Sequence, residues 1–360
     1  MIQIKFVEEA GHEAVVNAQK GELLVVPLGV NELRRYLLEG APLPIVISGA
    51  EVALSGPEHN FDGQGDVSFC LLPKPLVKVF GLTEGGWLPV FLVQANYLLP
   101  DQNVAKKFPQ FSRELARSNL LPDGLEHLDR AAKHIHPMLI AIEGNTRQFP
   151  SLAEMSDEVR QVAARLQQGM PNQSVFIPTD ESILGAYRIV EERRQRYPRD
   201  AEFLTNAYPF LANRVKDANL VAVHDALERL ADKLGLARSS FLYMLTLDCL
   251  YDNHPVKKEQ ESPGRAVLKP RVKVLNGDIY NALFDVWQME FLIQIHRVPG
   301  TGKVAICTMD KGLAQAWAMF RPRNFEADER FTRISVSIPD EFALRMPPDR
   351  RNQVIDALQN

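Results

Sequence analysis

Apolar residues follow two different spacings along this chain. In the first part they come in short runs bounded by turn residues. LLVVPLG (23–29), LPIVISG (43–49) and VSFCLLP (67–73) predict strands. GPEHNFDGQGD (56–66) between them predicts a loop. PVFLVQANYLL (89–99) is nearly continuous in apolar residues, the pattern of a strand covered on both faces, and it runs into Pro100-Asp101.

From about residue 111 to 250 the spacing becomes helical. SRELARSNLL, GLEHLDRAAKHIHPMLIAIEG and SDEVRQVAARLQQG carry helix formers with amphipathic periodicity. ANLVAVHDALERLADKLG (218–235) ends on Lys233 and Gly235, a stop signal, and SFLYMLTLDCLY (240–251) is an apolar helix. Residues 252–272 are polar and broken by prolines, which predicts a flexible loop. A long helix over 277–297, a turn and strand over GTGKVAICTMD (300–310), a strand RISVSIP (333–339) and a last helix near 348–358 complete the chain. The strand and single helix of the tail superficially resemble an incomplete ribbon-helix-helix unit, so an edge strand or an oligomer contact is expected. No internal repeat is visible.

Composition narrows the class. Of 360 residues, 46% are hydrophobic and 24% charged, the values of a globular chain large enough for one domain with an accessory part. A net charge of -4 excludes a strongly basic nucleic-acid binder but leaves room for acidic catalytic residues beside a local basic groove. No run approaches the roughly 18 apolar residues of a membrane helix. MIQIKFVEEAGHEAV lacks the pattern of a secretory leader, so a cytoplasmic protein without membrane partners is expected. Cys70, Cys249 and Cys307 sit among apolar residues and are expected as reduced core thiols.

The candidate chemistry lies in carboxylates placed where burial makes them costly. The helix 277–297 is apolar nearly all round, from Ile279 and Tyr280 to Phe291 and Leu292, which predicts a buried helix. Asp278, Asn281, Asp285 and Gln288 nevertheless form one narrow polar stripe. A buried carboxylate needs a cation, a metal or a donor. Asp278 can equally be an N-cap; Asp285 is mid-helix. VAICTMDKGL (304–313) places Thr308 and Asp310 after a short strand, and the strand 89–99 is followed by Asp101 and Asn103. Ligands of open α/β sheets sit beyond such strand ends, although turn-forming aspartates are also common there. Glu143 in PMLIAIEGN stands where a helix dipole disfavours it. Carboxylates grouped at one site suit Mg2+ or Mn2+. His134 and His136, two apart on an expected helix, do not share a face and make a poor zinc pair.

In order and setting these pieces resemble a PIN-like nuclease domain. NYLLPDQNV resembles the family's first strand with its Asp, here Asp101. IAIEGN resembles its helical Glu (Glu143), NALFDVWQMEFL the helix of its third acid (Asp285), and VAICTMDKGL the late strand with its Thr-x-Asp-Lys pattern (Asp310). The resemblance covers about residues 90–325. It implies a three-layer α/β domain with a twisted parallel sheet. It also implies Mg2+- or Mn2+-dependent phosphodiester hydrolysis, most often of RNA, by Asp101, Glu143, Asp285 and Asp310. Asp278 competes with Asp285 for the third position, and Glu154 is the alternate for Glu143. Asn103, Asn281, Thr308 and Lys311 are the expected supporting or substrate residues. The chain departs from a compact PIN domain in the separation of 142 positions from Glu143 to Asp285, which implies a large helical insertion at about 175–255.

The expected organisation is therefore an accessory α/β region (1–87), a PIN-like nuclease domain (88–325) and a C-terminal strand and helix (326–360). Basic clusters flank the acids: Lys106 and Lys107; Arg193, Arg194, Arg196 and Arg199; Lys257, Lys258, Arg265, Lys269, Arg271 and Lys273; Arg321 and Arg323. They suit phosphate contacts to nucleic acid, RNA before DNA. A toxin, defence or processing role, and a homo-oligomer or regulatory protein partner, all remain open. A catalytically silent binding scaffold and a Mg2+-dependent nucleotide phosphohydrolase are the alternatives.

Overall fold

The computed structural model describes the chain except residues 1–2, 8–12, 18–23, 56–59, 72–78, 108–133, 145–147, 170–173, 253–260, 297–302, 328–331, 337, 340–341 and 360. The N-terminal part forms β1 (Gln3–Val7), β2 (Glu13–Asn17), β3 (Leu24–Val25), α1 (Val30–Glu39), β4 (Leu43–Ser55) and β5 (Asn60–Leu71). These strands build an antiparallel sheet of order β1-β2-β4-β3, with β5 also paired to β4. Residues 60–66, expected as loop, are strand. Their polar and glycine content hides a ladder that runs from Ser55↔Asn60 to Leu43↔Leu71. Cys70 is exposed on β5, against the expectation of a core thiol; Cys249 and Cys307 are buried.

The second sheet carries the candidate chemistry. It contains β6 (Phe80–Thr83), β7 (Gly86–Pro89), β8 (Tyr97–Pro100), β9 (His134–Ile135), β10 (Ser174–Val175) and β11 (Val304–Thr308), in the order β10-β9-β8-β11-β6-β7. Strands β10, β9, β8 and β11 are parallel; β6 and β7 add an antiparallel hairpin. The sheet is thus mixed rather than all parallel, and the expected boundary at residue 87 falls inside β7. The apolar run 89–99 is not one strand. A 3-10 turn over Val90–Leu92 interrupts it, and only its end continues as β8. Leu28 and Trp87 exchange backbone hydrogen bonds of 2.8 and 3.0 Å, joining the N-terminal part to β7. Gly86, at φ +146°, is required beside this bridge, because a Cβ there would lie 2.2 Å from the Leu28 carbonyl oxygen.

The helices are α2 (Met138–Glu143), α3 (Leu152–Gly169), α4 (Asp180–Leu211), α5 (Leu220–Leu234), α6 (Phe241–Leu250), α7 (Pro263–Leu268), α8 (Asn276–His296), α9 (Lys311–Phe320) and α10 (Pro348–Gln359). Strands β12 (Arg323–Ala327) and β13 (Thr332–Ser335) form a separate antiparallel pair, so the tail strand pairs within the chain. The stop signal at Gly235 works as read: Gly235 adopts φ +65° and caps α5. All ten residues of α6 are buried, as its continuous apolar content requires. Among the described residues no helix is long and apolar enough to cross a membrane.

Two expectations about the helical part are corrected. His134 and His136 lie in and just after β9, not on a helix. His134 Nδ1 is 2.9 Å from Ser174 Oγ, and His136 stacks on Phe176 at 4.3 Å, where burial pushes its imidazole down to about 4. The stretch 252–272 is not one flexible loop. Ser262 caps α7, Pro263 fills its first turn, and five of the six residues of α7 are buried.

Candidate metal centre

The parallel pairing of β8 and β11 runs from Tyr97↔Val304 to Pro100↔Cys307, so both strands end at one edge of the sheet. Asp101 follows β8 directly and is buried, with 4% of its surface exposed. Its Oδ1 accepts the Val104 N–H at 2.7 Å and caps a helical turn over residues 102–107. Its Oδ2 accepts the Thr308 hydroxyl at 2.8 Å. Thr308, the last residue of β11, also accepts the Asp310 N–H at 2.9 Å. Asp310 caps α9 by accepting the Leu313 N–H on Oδ1 at 3.0 Å, leaving Oδ2 turned toward Lys269. Both aspartates therefore serve as helix caps.

Glu143 ends α2, which follows β9. Its Oε2 is buried without a hydrogen-bond partner. The Tyr280 hydroxyl of α8 donates to the Glu143 carbonyl at 3.1 Å and ties the two helices together. One turn further along α8 stands Asp285, whose side chain is 19% exposed. Lys269 Nζ lies 3.6 Å from Asp285 Oδ2 and 3.4 Å from Asp310 Oδ2.

The four carboxylates feel one another. Burial pushes Asp101 up to about 6, and the charge of Asp310 adds to the push. Burial, then the charge of Asp101, pushes Glu143 up to about 7. Asp285 is held well above the usual carboxylate range by burial first, then by Asp310, Glu143 and Asp101. Burial alone would lower the Lys269 ammonium, but Asp285 and Asp310 outweigh it and raise it.

Among the described residues no three His, Cys, Asp or Glu side chains stand closed around a single metal position. The chemistry of the set nevertheless fits a hard divalent ion. All four donors are carboxylates, one buried oxygen of Glu143 is unpartnered, and a cation is already drawn between Asp285 and Asp310.

The other expected residues fall outside this cluster. Asp278 pairs with Arg271 at 3.5 Å and accepts the Leu275 N–H, so it works at the start of α8. Glu154 forms a capping box with Ser151 at the start of α3 and is exposed. Asn103, Asn281 and Lys311 are exposed, as are Lys106 and Lys107. Several expected phosphate contacts are structural instead. Arg193 is buried 5.5 Å over the Trp287 ring, Arg196 pairs with Glu290, and Arg199 pairs with Asp200. Arg265 pairs with Asp252, and Arg321 donates to the Gly85 and Pro27 carbonyls. Lys257 and Lys258 lie outside the described residues. Lys269, expected only as one of the phosphate-contacting lysines, pairs instead with Asp285 and Asp310; the Ser262-Pro263 start and Pro270 stop around α7 were the signal available for its placement. Comparison with family models, curated proteins and solved structures gave no significant match.

Proposed function

We propose that this chain is a divalent-metal-dependent nuclease hydrolysing phosphodiester bonds, RNA before DNA, in the manner of PIN-like enzymes. The observation that supports the reading is the pair Asp101 and Asp310, which follow the parallel-paired strands β8 and β11 and are joined through Thr308, with Glu143 and Asp285 near enough for their charges to act on Asp101 and Asp310. A bound Mg2+ or Mn2+ would supply a Lewis acid for the phosphoryl oxygens and activate water. The protein's part is to hold that ion with the four carboxylates. The Thr308 hydroxyl fixes Asp101 and the backbone of Asp310, and so keeps two of the acids in register. Lys106, Lys107 and Lys311, exposed beside Asp101 and Asp310, offer charge to the phosphate backbone.

The test is cleavage of single-stranded RNA and of single-stranded DNA of equal length with Mn2+ or Mg2+, comparing the native chain with Asp285→Asn. Metal-dependent cleavage that disappears in the variant supports the reading; cleavage unchanged in Asp285→Asn removes Asp285 from the mechanism. One observation favours a second reading, a silent nucleic-acid or protein-binding scaffold: Lys269 already pairs with two of the acids, and the set is not closed. Nucleic-acid binding without cleavage, insensitive to Asp285→Asn, would select that reading.

A further inference from the structure

The Asp285–Asp310 half of the centre holds a cation of its own. The position of Lys269 is set by backbone that is anchored in the core. Gly264 of α7 sits so close to α6 that a Cβ would lie 2.2 Å from the Leu245 carbonyl oxygen, and its N–H donates to Asp248 Oδ2 at 2.7 Å. On the other side, a Cβ on Gly312 of α9 would lie 3.0 Å from Ala266. Arg265 is held by Asp252 and by the Leu211 carbonyl, and the Tyr208 hydroxyl donates to the Leu268 carbonyl. Helix α7 is therefore clamped between α6 and α9. Lys269 follows it at φ +50°, ψ +50°, a left-handed conformation that is costly for a non-glycine residue and more so before Pro270. Strain of this kind persists where the surroundings over-determine it, and here it aims an ammonium between two acids.

Resting on the metal-dependent reading above, we propose that Lys269 fills one of two cation positions in the centre, so that the chain takes a single divalent ion on the Asp101–Glu143 side. A divalent ion bound to Asp285 Oδ2 and Asp310 Oδ2 would need oxygens at about 2.0–2.1 Å. It would then press against an ammonium that contacts the same two atoms, so ion and lysine exclude each other. Two-metal sites place their ions about 3.5–4 Å apart to balance charge on both sides of a phosphoryl group. A lysine in one of those places supplies a fixed positive charge that needs no metal. On the other side, Glu143 Oε2 is buried without a hydrogen-bond partner, and the lysine whose charge acts on Glu143, Lys106, is exposed and, among the described residues, forms no ion pair with it.

The experiment is Mn2+ titration by calorimetry together with electron paramagnetic resonance of the bound ion. It uses the full native chain, Lys269→Met and Lys269→Arg. Expected are one Mn2+ with a mononuclear spectrum in the native chain and in Lys269→Arg, and a second Mn2+ with a spin-coupled spectrum in Lys269→Met. The Lys269 side chain is 51% exposed, so these variants should fold; Lys269→Gln replaces the Met variant if it does not. Two ions in the native chain, or one ion with unchanged affinity in Lys269→Met, overturns the lysine assignment and leaves the nuclease reading standing. No Mn2+ uptake by the native chain overturns both.

Discussion

The hydroxyl of Thr308 donates to Asp101 Oδ2 at 2.8 Å, joining residues 207 positions apart in the sequence. The same oxygen accepts the Asp310 N–H, so one side chain sets the position of two acids on two elements. A hydroxyl can do both because it has one hydrogen and two lone pairs. Valine has the same shape and neither capacity. Thr308→Val is expected to weaken Mn2+ binding about 10–100-fold, the usual loss for a residue that orients a metal ligand. Thr308→Ser keeps the hydroxyl and should stay near the native affinity. Calorimetric titration of both variants decides it: equal affinities for Val and native would mean that the contact is only structural.

Charge crowding in the centre predicts an unusual pH dependence for the metal-free protein. Asp101 and Glu143 are pushed up to about 6 and about 7, chiefly by burial, from ordinary values of 3.8 and 4.5. Between those limits the folded chain holds protons that the unfolded chain has released. The contribution of these two groups to stability must then fall as pH rises through that window. The penalty is absent below the ordinary values and complete above about 7. In chelator, the Asp101→Asn, Glu143→Gln double variant should gain unfolding temperature relative to the native chain as pH rises from 5 to 8; the comparison cancels the buried imidazoles of His136, His224 and His296, whose lowered values act in the opposite sense. Added Mn2+ should raise stability most at pH 8, where the carboxylates are charged. A difference between native chain and double variant that stays constant over the same interval would falsify this account of the centre.

What could be read in advance followed from burial. Asp285 was legible because a carboxylate in the middle of an otherwise apolar helix is costly, and Asp310 because it follows a five-residue buried strand. The same logic misjudged the polar stretch 60–66, because sheet pairing to β4 satisfies its backbone whatever its side chains are. It also misjudged the arginines 193–199. Charge in a sequence looks like surface, yet on α4 these side chains find Glu290, Asp200 and the face of Trp287. Lys269 was expected only as one of a basic cluster facing phosphate, because the prolines and charges of 252–272 outweigh the pattern of a six-residue helix. Its role depends on tertiary clamping, which local pattern does not carry.

The clamp can be tested at Gly264. A Cβ there would stand 2.2 Å from the Leu245 carbonyl oxygen and 2.9 Å from the Cys249 nitrogen, both backbone atoms that cannot swing aside. Gly264→Ala should therefore force α7 away from α6 at a cost of about 1–3 kcal/mol, the range for overpacking a filled interior. Urea unfolding measures the loss. A midpoint equal to that of the native chain would show that the helices separate freely and that the lysine is not rigidly presented.

Arg265 provides the sharper energetic test of the same helix. Its guanidinium is buried, 3.0 Å from Asp252 Oδ2, and also donates to the Leu211 carbonyl at 2.8 Å. Removing one partner of a buried pair strands the other charge away from water, at about 3–5 kcal/mol. Arg265→Met should lose that much, because the aliphatic stem is kept while the Asp252 carboxylate is left uncompensated. Arg265→Met combined with Asp252→Leu removes both charges and should recover a large part of the loss; the Leu211 carbonyl still lacks its donor, so recovery stays incomplete. The double-mutant cycle, measured by urea unfolding, isolates the coupling between the two side chains. A coupling near zero would place the stability of α7 in its apolar contacts and its Asp248 hydrogen bond rather than in this ion pair.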